Sequence, residues 1–87
     1  MNMQIKEFAA YTGVSVRTLH YYDEIGLLKP AFVDRITGYR YYDAAKLSDC
    51  YRIIALKELG FSLNEIKEVF LLPKDRFSEL ILSKEQE

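Results

Sequence analysis

The sequence predicts a mostly α-helical fold with one short β-hairpin between two pairs of helices, and three observations carry that prediction. Apolar residues recur at helical spacing in successive segments, several of them preceded by a capping residue, as at Ser15, Asp43 and Ser62. Glycines stand at the segment ends, at Gly13, Gly26, Gly38 and Gly60. Two aromatic and β-branched runs, Ala31-Phe32-Val33 and Tyr39-Arg40-Tyr41-Tyr42, flank a loop of hairpin length, Asp34 to Gly38.

The first helix is expected from about Ile5 to Tyr11, because Ile5, Phe8 and Ala9 form an i, i+3, i+4 stripe. Its cap is weak, since Gln4 stands where Ser, Thr or Asp would accept a backbone N–H better. Thr12-Gly13-Val14 then breaks the helix. Ser15 caps a second helix reaching about Ile25, with Leu19 and Tyr22 inward and Arg17, Thr18, His20 and Tyr21 outward. Two short helices joined by a tight Gly-containing turn are the outline of a helix-turn-helix. Lys29-Pro30 begins an extended stretch, because proline disfavours helix in the residue before it. The hairpin that follows is the wing.

Asp43 caps a third helix, for which Leu47, Cys50, Tyr51 and Ile54 are the expected apolar stripe and Gly60 the stop. Ser62-Leu63-Asn64-Glu65 fits a capping box, and Phe61 with Ile66 fits the flanking hydrophobic staple. The fourth helix carries Leu63, Ile66, Val69 and Phe70 inward and ends before Pro73. From Asp75 to Glu87 a fifth helical segment begins, with Phe77, Leu80 and Ile81 on one side. That seam is about one heptad long, short of the three or more a stable coiled coil needs, so the chain reads as cut off inside an oligomerisation helix.

At 87 residues the chain supports one domain, or one domain with a projecting helix. A chain of this size buries only about 60–65% of its unfolded surface, which makes a partner relevant to its stability. The expected organisation is residues 1–72 as the winged domain and residues 73–87 as the start of a dimerisation helix. No apolar run approaches the roughly 18–20 residues of a membrane span. Charge at Lys6 and Glu7 interrupts what would be the apolar core of an export signal. The single cysteine, Cys50, excludes an intrachain disulfide and reads as a small core residue in a reducing cytoplasm.

The formal net charge is −1, whereas many nucleic-acid modules are strongly basic. Residues 1–43 carry five positive and five negative groups, and residues 44–87 carry seven and eight. Binding to a polyanion must therefore depend on local placement, with Arg17, Lys29, Arg35 and Arg40 gathered on one face.

Three linked motifs bear a family likeness. Ser15-Val16-Arg17-Thr18-Leu19-His20-Tyr21-Tyr22-Asp23-Glu24-Ile25-Gly26-Leu27-Leu28-Lys29-Pro30 resembles the recognition helix and exit turn of mercury-resistance (MerR-type) transcription regulators. Gly38-Tyr39-Arg40-Tyr41-Tyr42 resembles their wing, and Leu59-Gly60-Phe61-Ser62-Leu63-Asn64-Glu65-Ile66 their junction between the third and fourth helices. Order and spacing agree from about Gln4 to Leu72. The resemblance implies a bacterial, cytoplasmic, nucleoid-associated homodimer on a dyad operator in promoter DNA, acting on RNA polymerase indirectly by distorting the DNA. His20 stands where many members have Arg, which should alter base preference or phosphate contact.

The residues support a DNA-reading role independently of that likeness. A recognition helix offers its N-terminal outward side chains to the major groove. Arg17 suits bidentate contact with guanine O6 and N7. Thr18, His20 and Tyr21 suit phosphate or thymine-methyl contact, as solvent-facing residues of any helix would not be required to do. In the wing, Tyr42 is expected in the core near the third helix, while Arg40 and at least one of Tyr39 and Tyr41 meet the phosphate backbone. Ser15 and Lys29 complete the candidate DNA-binding set, and Phe77, Leu80 and Ile81 are the candidate dimerisation residues. Ser62 leaves two readings open, a phosphate site at a helix N-terminus or a cap already satisfied.

A lone His20, with Cys50 on another helix's apolar stripe, does not make a metal site. No nucleophile, base and oxyanion donor come together, so no enzyme activity and no cofactor are expected. Two other function classes stay open on the sequence: a protein-interaction adaptor, and an architectural, excisionase-like DNA-bending protein that shares the wing. Steep salt dependence separates DNA binders from the adaptor.

Overall fold

The computed structural model describes residues 1–72, so the expected fifth helix with Phe77, Leu80 and Ile81 lies outside the described residues. The element order is β1 (Asn2–Gln4), α1 (Ile5–Thr12), α2 (Val16–Glu24), β2 (Phe32–Val33), β3 (Arg40–Asp43), α3 (Ala44–Glu58) and α4 (Leu63–Phe70). The chain divides into two compact units, Met1–Tyr51 and Arg52–Glu87.

In the first unit, α1 ends where Gly13 adopts φ 80° and its N–H bonds the Ala9 carbonyl at 2.9 Å. A side chain at that left-handed position would be strained, which is why glycine makes this turn. Gln4 precedes α1 without a side-chain cap, as its chemistry predicts. Ser15 does cap α2, accepting from the Thr18 N–H at 3.1 Å. The helix closes with the Leu27 and Leu28 N–H groups both bonded to the Tyr22 carbonyl, at 2.8 and 3.2 Å. Both leucines are buried, so the exit turn is pinned before Lys29 leaves it.

The hairpin pairs Phe32 with Tyr41 and Val33 with Arg40, antiparallel. Its loop is held by the Asp34 carboxylate, which accepts from the Ile36 and Thr37 N–H groups at 2.8 and 2.9 Å. A third strand, β1, was not legible in the sequence. It pairs Asn2, Met3 and Gln4 with Asp43, Tyr42 and Tyr41, so the sheet has the order β1-β3-β2. Three residues are too few to show a period, and their partner lies some forty positions away. Met3 and Tyr42 are both buried, and the Tyr42 ring stacks on Phe8 of α1 with centroids 4.4 Å apart. Tyr42 is thus a core residue as expected; its ring partner is α1, while Cys50 of α3 lies close enough to act on its phenol electrostatically.

Asp43 ends β3 and caps α3 through Lys46 N–H at 3.1 Å. The expected α3 stripe needs correction: the fully buried residues are Cys50, Ile53 and Leu56, while Leu47 and Ile54 are half-buried and Tyr51 is 46% exposed. This helix is apolar on two adjoining rows, so periodicity does not choose between them. The Tyr51 hydroxyl decides against burial by donating to the Tyr11 carbonyl at 3.3 Å.

In the second unit, both halves of the capping box are present. The Ser62 Oγ accepts from Glu65 N–H at 3.1 Å, and the Glu65 carboxylate accepts from Ser62 N–H at 2.8 Å. Phe61 and Ile66 are buried, as a hydrophobic staple requires. The cap reading of Ser62 therefore accounts for those donors. Arg52 lies over the Phe70 ring, 6.0 Å from its centroid.

The Tyr42 hydroxyl is buried without a hydrogen-bond partner. Tyr42→Phe is accordingly expected to leave stability unchanged or raise it by about 1 kcal/mol, the cost of an unsatisfied hydroxyl. Phe8→Ala should cost about 3–5 kcal/mol. Urea unfolding checks both, and a Tyr42→Phe destabilisation as large as that of Phe8→Ala would contradict the assignment. By the same measurement Ser62→Ala should cost about 1 kcal/mol.

Candidate nucleic-acid interface

The site is built from α2, its exit turn and the wing, all within the first unit. On α2 the inward period takes Leu19 and Tyr22 into the core, which leaves Arg17 and Tyr21 exposed and Thr18 and His20 half-exposed. At the helix start, the Ser15 hydroxyl accepts from Thr18 N–H and donates to Thr18 Oγ1 at 2.8 Å. The Thr18 hydroxyl then keeps its own proton for an acceptor outside the protein. A phosphate or base-edge oxygen is such an acceptor.

Strand alternation arranges the wing. Tyr42 is buried, so Arg40 two residues before it leans to the same side, while Tyr41 projects from the opposite face. There Tyr41 stacks on its cross-strand partner Phe32, with centroids 4.9 Å apart. His20 and Arg40, distant in sequence, line one cavity of about 200 Å³ with Gln4, Ile5, Gly38 and Tyr39. The structure therefore brings His20, Tyr39 and Arg40 together, and sets Tyr41 apart from them. Gln4 and Ile5 join this lining only because β1 runs beside β3, which the sequence did not reveal.

Asp23 is the residue that sequence reasoning missed. Its Oδ1 accepts from Lys29 Nζ at 3.1 Å and its Oδ2 from Arg40 Nε at 3.2 Å. The signal available was an acid in the last turn of α2, where the helix dipole favours a cation and a carboxylate needs cationic partners to be stable. Burial pushes the Asp23 carboxyl up, but the hydrogen bonds from Lys29 and Arg40 outweigh it and hold the group below its ordinary value. Asp34, in the wing loop, is held below the usual carboxylate range by the backbone N–H groups of Thr37 and Ile36. Burial raises the Cys50 thiol, which keeps it protonated in the core rather than available as a thiolate.

Among the described residues no three His, Cys, Asp or Glu side chains group as metal ligands, and no helix is long and apolar enough to cross a membrane.

Comparison with known proteins matches residues 3–72 to the family of MerR HTH family regulatory proteins. The HTH-type transcriptional activator mta of Bacillus subtilis is 45% identical over 86 residues, covering 98% of this chain and 33% of its own length. The crystal structure of the N-terminus of the Bacillus subtilis multidrug transporter activator, MtaN, superposes with a TM-score of 0.88 at 40% identity. The likeness covers 97% of this chain and 78% of that one. HiNmlR, a MerR family regulator lacking the sensor domain and crystallised bound to promoter DNA, has a TM-score of 0.80 at 27% identity. It covers 99% of this chain and 72% of its own. The chain thus spans about a third of its curated relative's length.

A folded-state pKa below the unfolded one stabilises the fold above the unfolded value, and that stabilisation disappears as pH falls through the folded value. The Asp23 carboxyl should therefore titrate below 3.8, with its ion pairs intact throughout the neutral range. A carbon-13 carboxyl titration reads this directly. Arg40→Gln and Lys29→Gln are each expected to move the midpoint upward, and a wild-type midpoint at or above 3.8 would refute the arrangement.

Proposed function

The chain belongs to the MerR HTH family of regulatory proteins, and from that premise we propose that it binds duplex promoter DNA sequence-specifically to regulate transcription. The observation that carries this reading is the convergence of α2 with the wing: His20 shares one cavity with Tyr39 and Arg40, and Arg17 and Tyr21 of the same helix are exposed. In this reading α2 enters the major groove, where Arg17 reads a guanine edge. Lys29, Tyr39 and Arg40 hold the sugar–phosphate backbone, and Tyr41 supports the wing from its other face by stacking on Phe32. Ser15, Thr18, His20 and Tyr21 contact phosphates or base edges from α2 and its cap.

The proposed organisation is a winged domain over residues 1–72 and a dimerisation helix beginning in residues 73–87, with Phe77, Leu80 and Ile81 on its seam. The working form is a homodimer on a dyad operator in the bacterial cytoplasm, at the nucleoid, acting on RNA polymerase through the DNA. A near-neutral chain suits this only because its cations are placed locally; its net charge of −1 gives no long-range attraction.

Affinity selection from a random duplex library at two salt concentrations tests the proposal. Recovery of an inverted repeat, with log affinity falling linearly in log salt, supports a dyad-reading dimer. No enrichment at low salt would sink it. On the selected site Arg17→Ala should cost about 1–3 kcal/mol and relax the base preference, whereas Tyr39→Ala should weaken cognate and scrambled DNA alike. Equal weakening on both sequences for Arg17→Ala would overturn its assigned role.

A further inference from the structure

We infer that Asp23, an acid placed among the groups that face DNA, is a positioning residue that strengthens DNA binding by presenting Lys29 and Arg40 together; the inference rests on the DNA-binding reading above. Simple charge counting says the opposite, since a carboxylate beside a polyanion repels it. The geometry reverses that expectation. The two carboxylate oxygens serve different cations, Oδ1 taking Lys29 Nζ and Oδ2 taking Arg40 Nε. Lys29 Nζ also donates to the Asp23 backbone carbonyl at 3.3 Å. One residue at the end of α2 therefore gathers a lysine from the exit turn and an arginine from the wing, 17 positions away.

What remains unbound matters as much. A guanidinium has five N–H donors, and Asp23 takes the one at Nε. Among the described residues no hydrogen bond occupies the Arg40 Nη groups, the fork that suits a phosphate oxygen pair. The degree of exposure follows the same order: the Asp23 side chain is 19% exposed, Arg40 37% and Lys29 65%. The acid lies beneath and the cations above, so the outward charge of the cluster is positive. At its root Arg40 is fixed by β3, where Tyr42 on the same side is buried against Phe8. With the backbone held by Tyr42 and the Nε edge held by Asp23, the arginine gives up little conformational freedom when a phosphate arrives.

Asp23→Asn separates the two views, because it keeps the shape and removes the negative charge. Charge counting has this variant bind DNA more tightly; the positioning role has it bind more weakly. The test is fluorescence anisotropy of the full chain with a labelled mixed-sequence duplex over a salt series, since phosphate contacts act on all sequences. Asp23→Asn weakens the hold on both cations and is expected to lower affinity roughly tenfold, the loss of one charge-assisted hydrogen bond to a phosphate. The slope of log affinity against log salt should shrink by about 1 for each phosphate that is no longer neutralised. In a Lys29→Gln, Arg40→Gln background the same change should no longer weaken binding. Equal or tighter binding by Asp23→Asn, or an equal weakening in the background lacking both cations, overturns the inference.

The wild-type chain gives a second readout that needs no variant. The Arg40 Nε–H should exchange with solvent more slowly than those of the exposed Arg17 and Arg35, and equal exchange overturns the clamp. If the wild type shows no salt-dependent binding to duplex DNA, the DNA-binding reading itself fails and takes the Asp23 inference with it. Wild-type binding with an unaffected Asp23→Asn variant removes the inference alone.

Discussion

The stack of Tyr42 on Phe8 is the contact on which the arrangement of the first unit depends. Both rings are fully buried, so moving β3 by one residue would turn Tyr42 out to solvent and bring Tyr41 in. The register it fixes has consequences in both directions along the strand. Toward the N-terminus of β3 it sets Arg40 on the side of Asp23 and leaves Tyr41 to stack on Phe32. Toward the C-terminus it delivers Asp43 to cap α3. Met3 lies opposite Tyr42 across the β1–β3 ladder and closes the same packing from the other edge. A buried hydroxyl with no partner is tolerated at Tyr42 because the ring's contacts outweigh it.

A second constraint is electrostatic. A chain with a net charge of −1 has no general attraction for a polyanion, so its function rests on where charges stand. The first unit meets this by using an acid to organise bases. Asp23 cancels one positive charge in the local sum, yet it holds Lys29 and Arg40 side by side and leaves donors of both toward solvent. Arg17 is exposed instead, which is what the base-reading role proposed for it requires. The wing loop uses an acid in a related way: two backbone N–H groups engage the Asp34 carboxylate, and the pair of bonds shapes the turn.

How much of this was legible depended on the range of the interactions. The ends of α1 and α2 and the start of α4 are set by local chemistry at Gly13, Ser15, Ser62 and Glu65, and the sequence located them. The hairpin was legible for the same reason. The buried face of α3 was misplaced because Ile53 and Ile54 are both apolar, and only packing selects Ile53. The candidate nucleic-acid face was legible as a set of residue types, but His20, Tyr39 and Arg40 were not visibly neighbours until the sheet placed them around one cavity.

The sequence by itself thus determined the elements, their caps, the helix-turn-helix with its wing, and the outward residues of α2, since each follows from contacts within a few positions along the chain. Tertiary structure alone decided that Asn2–Gln4 is a strand, which row of α3 is buried, and that Asp23 joins the exit turn to the wing. Those three outcomes share a physical cause. Each depends on a partner many residues away, and a one-dimensional period records which side chains can face inward without recording what meets them there.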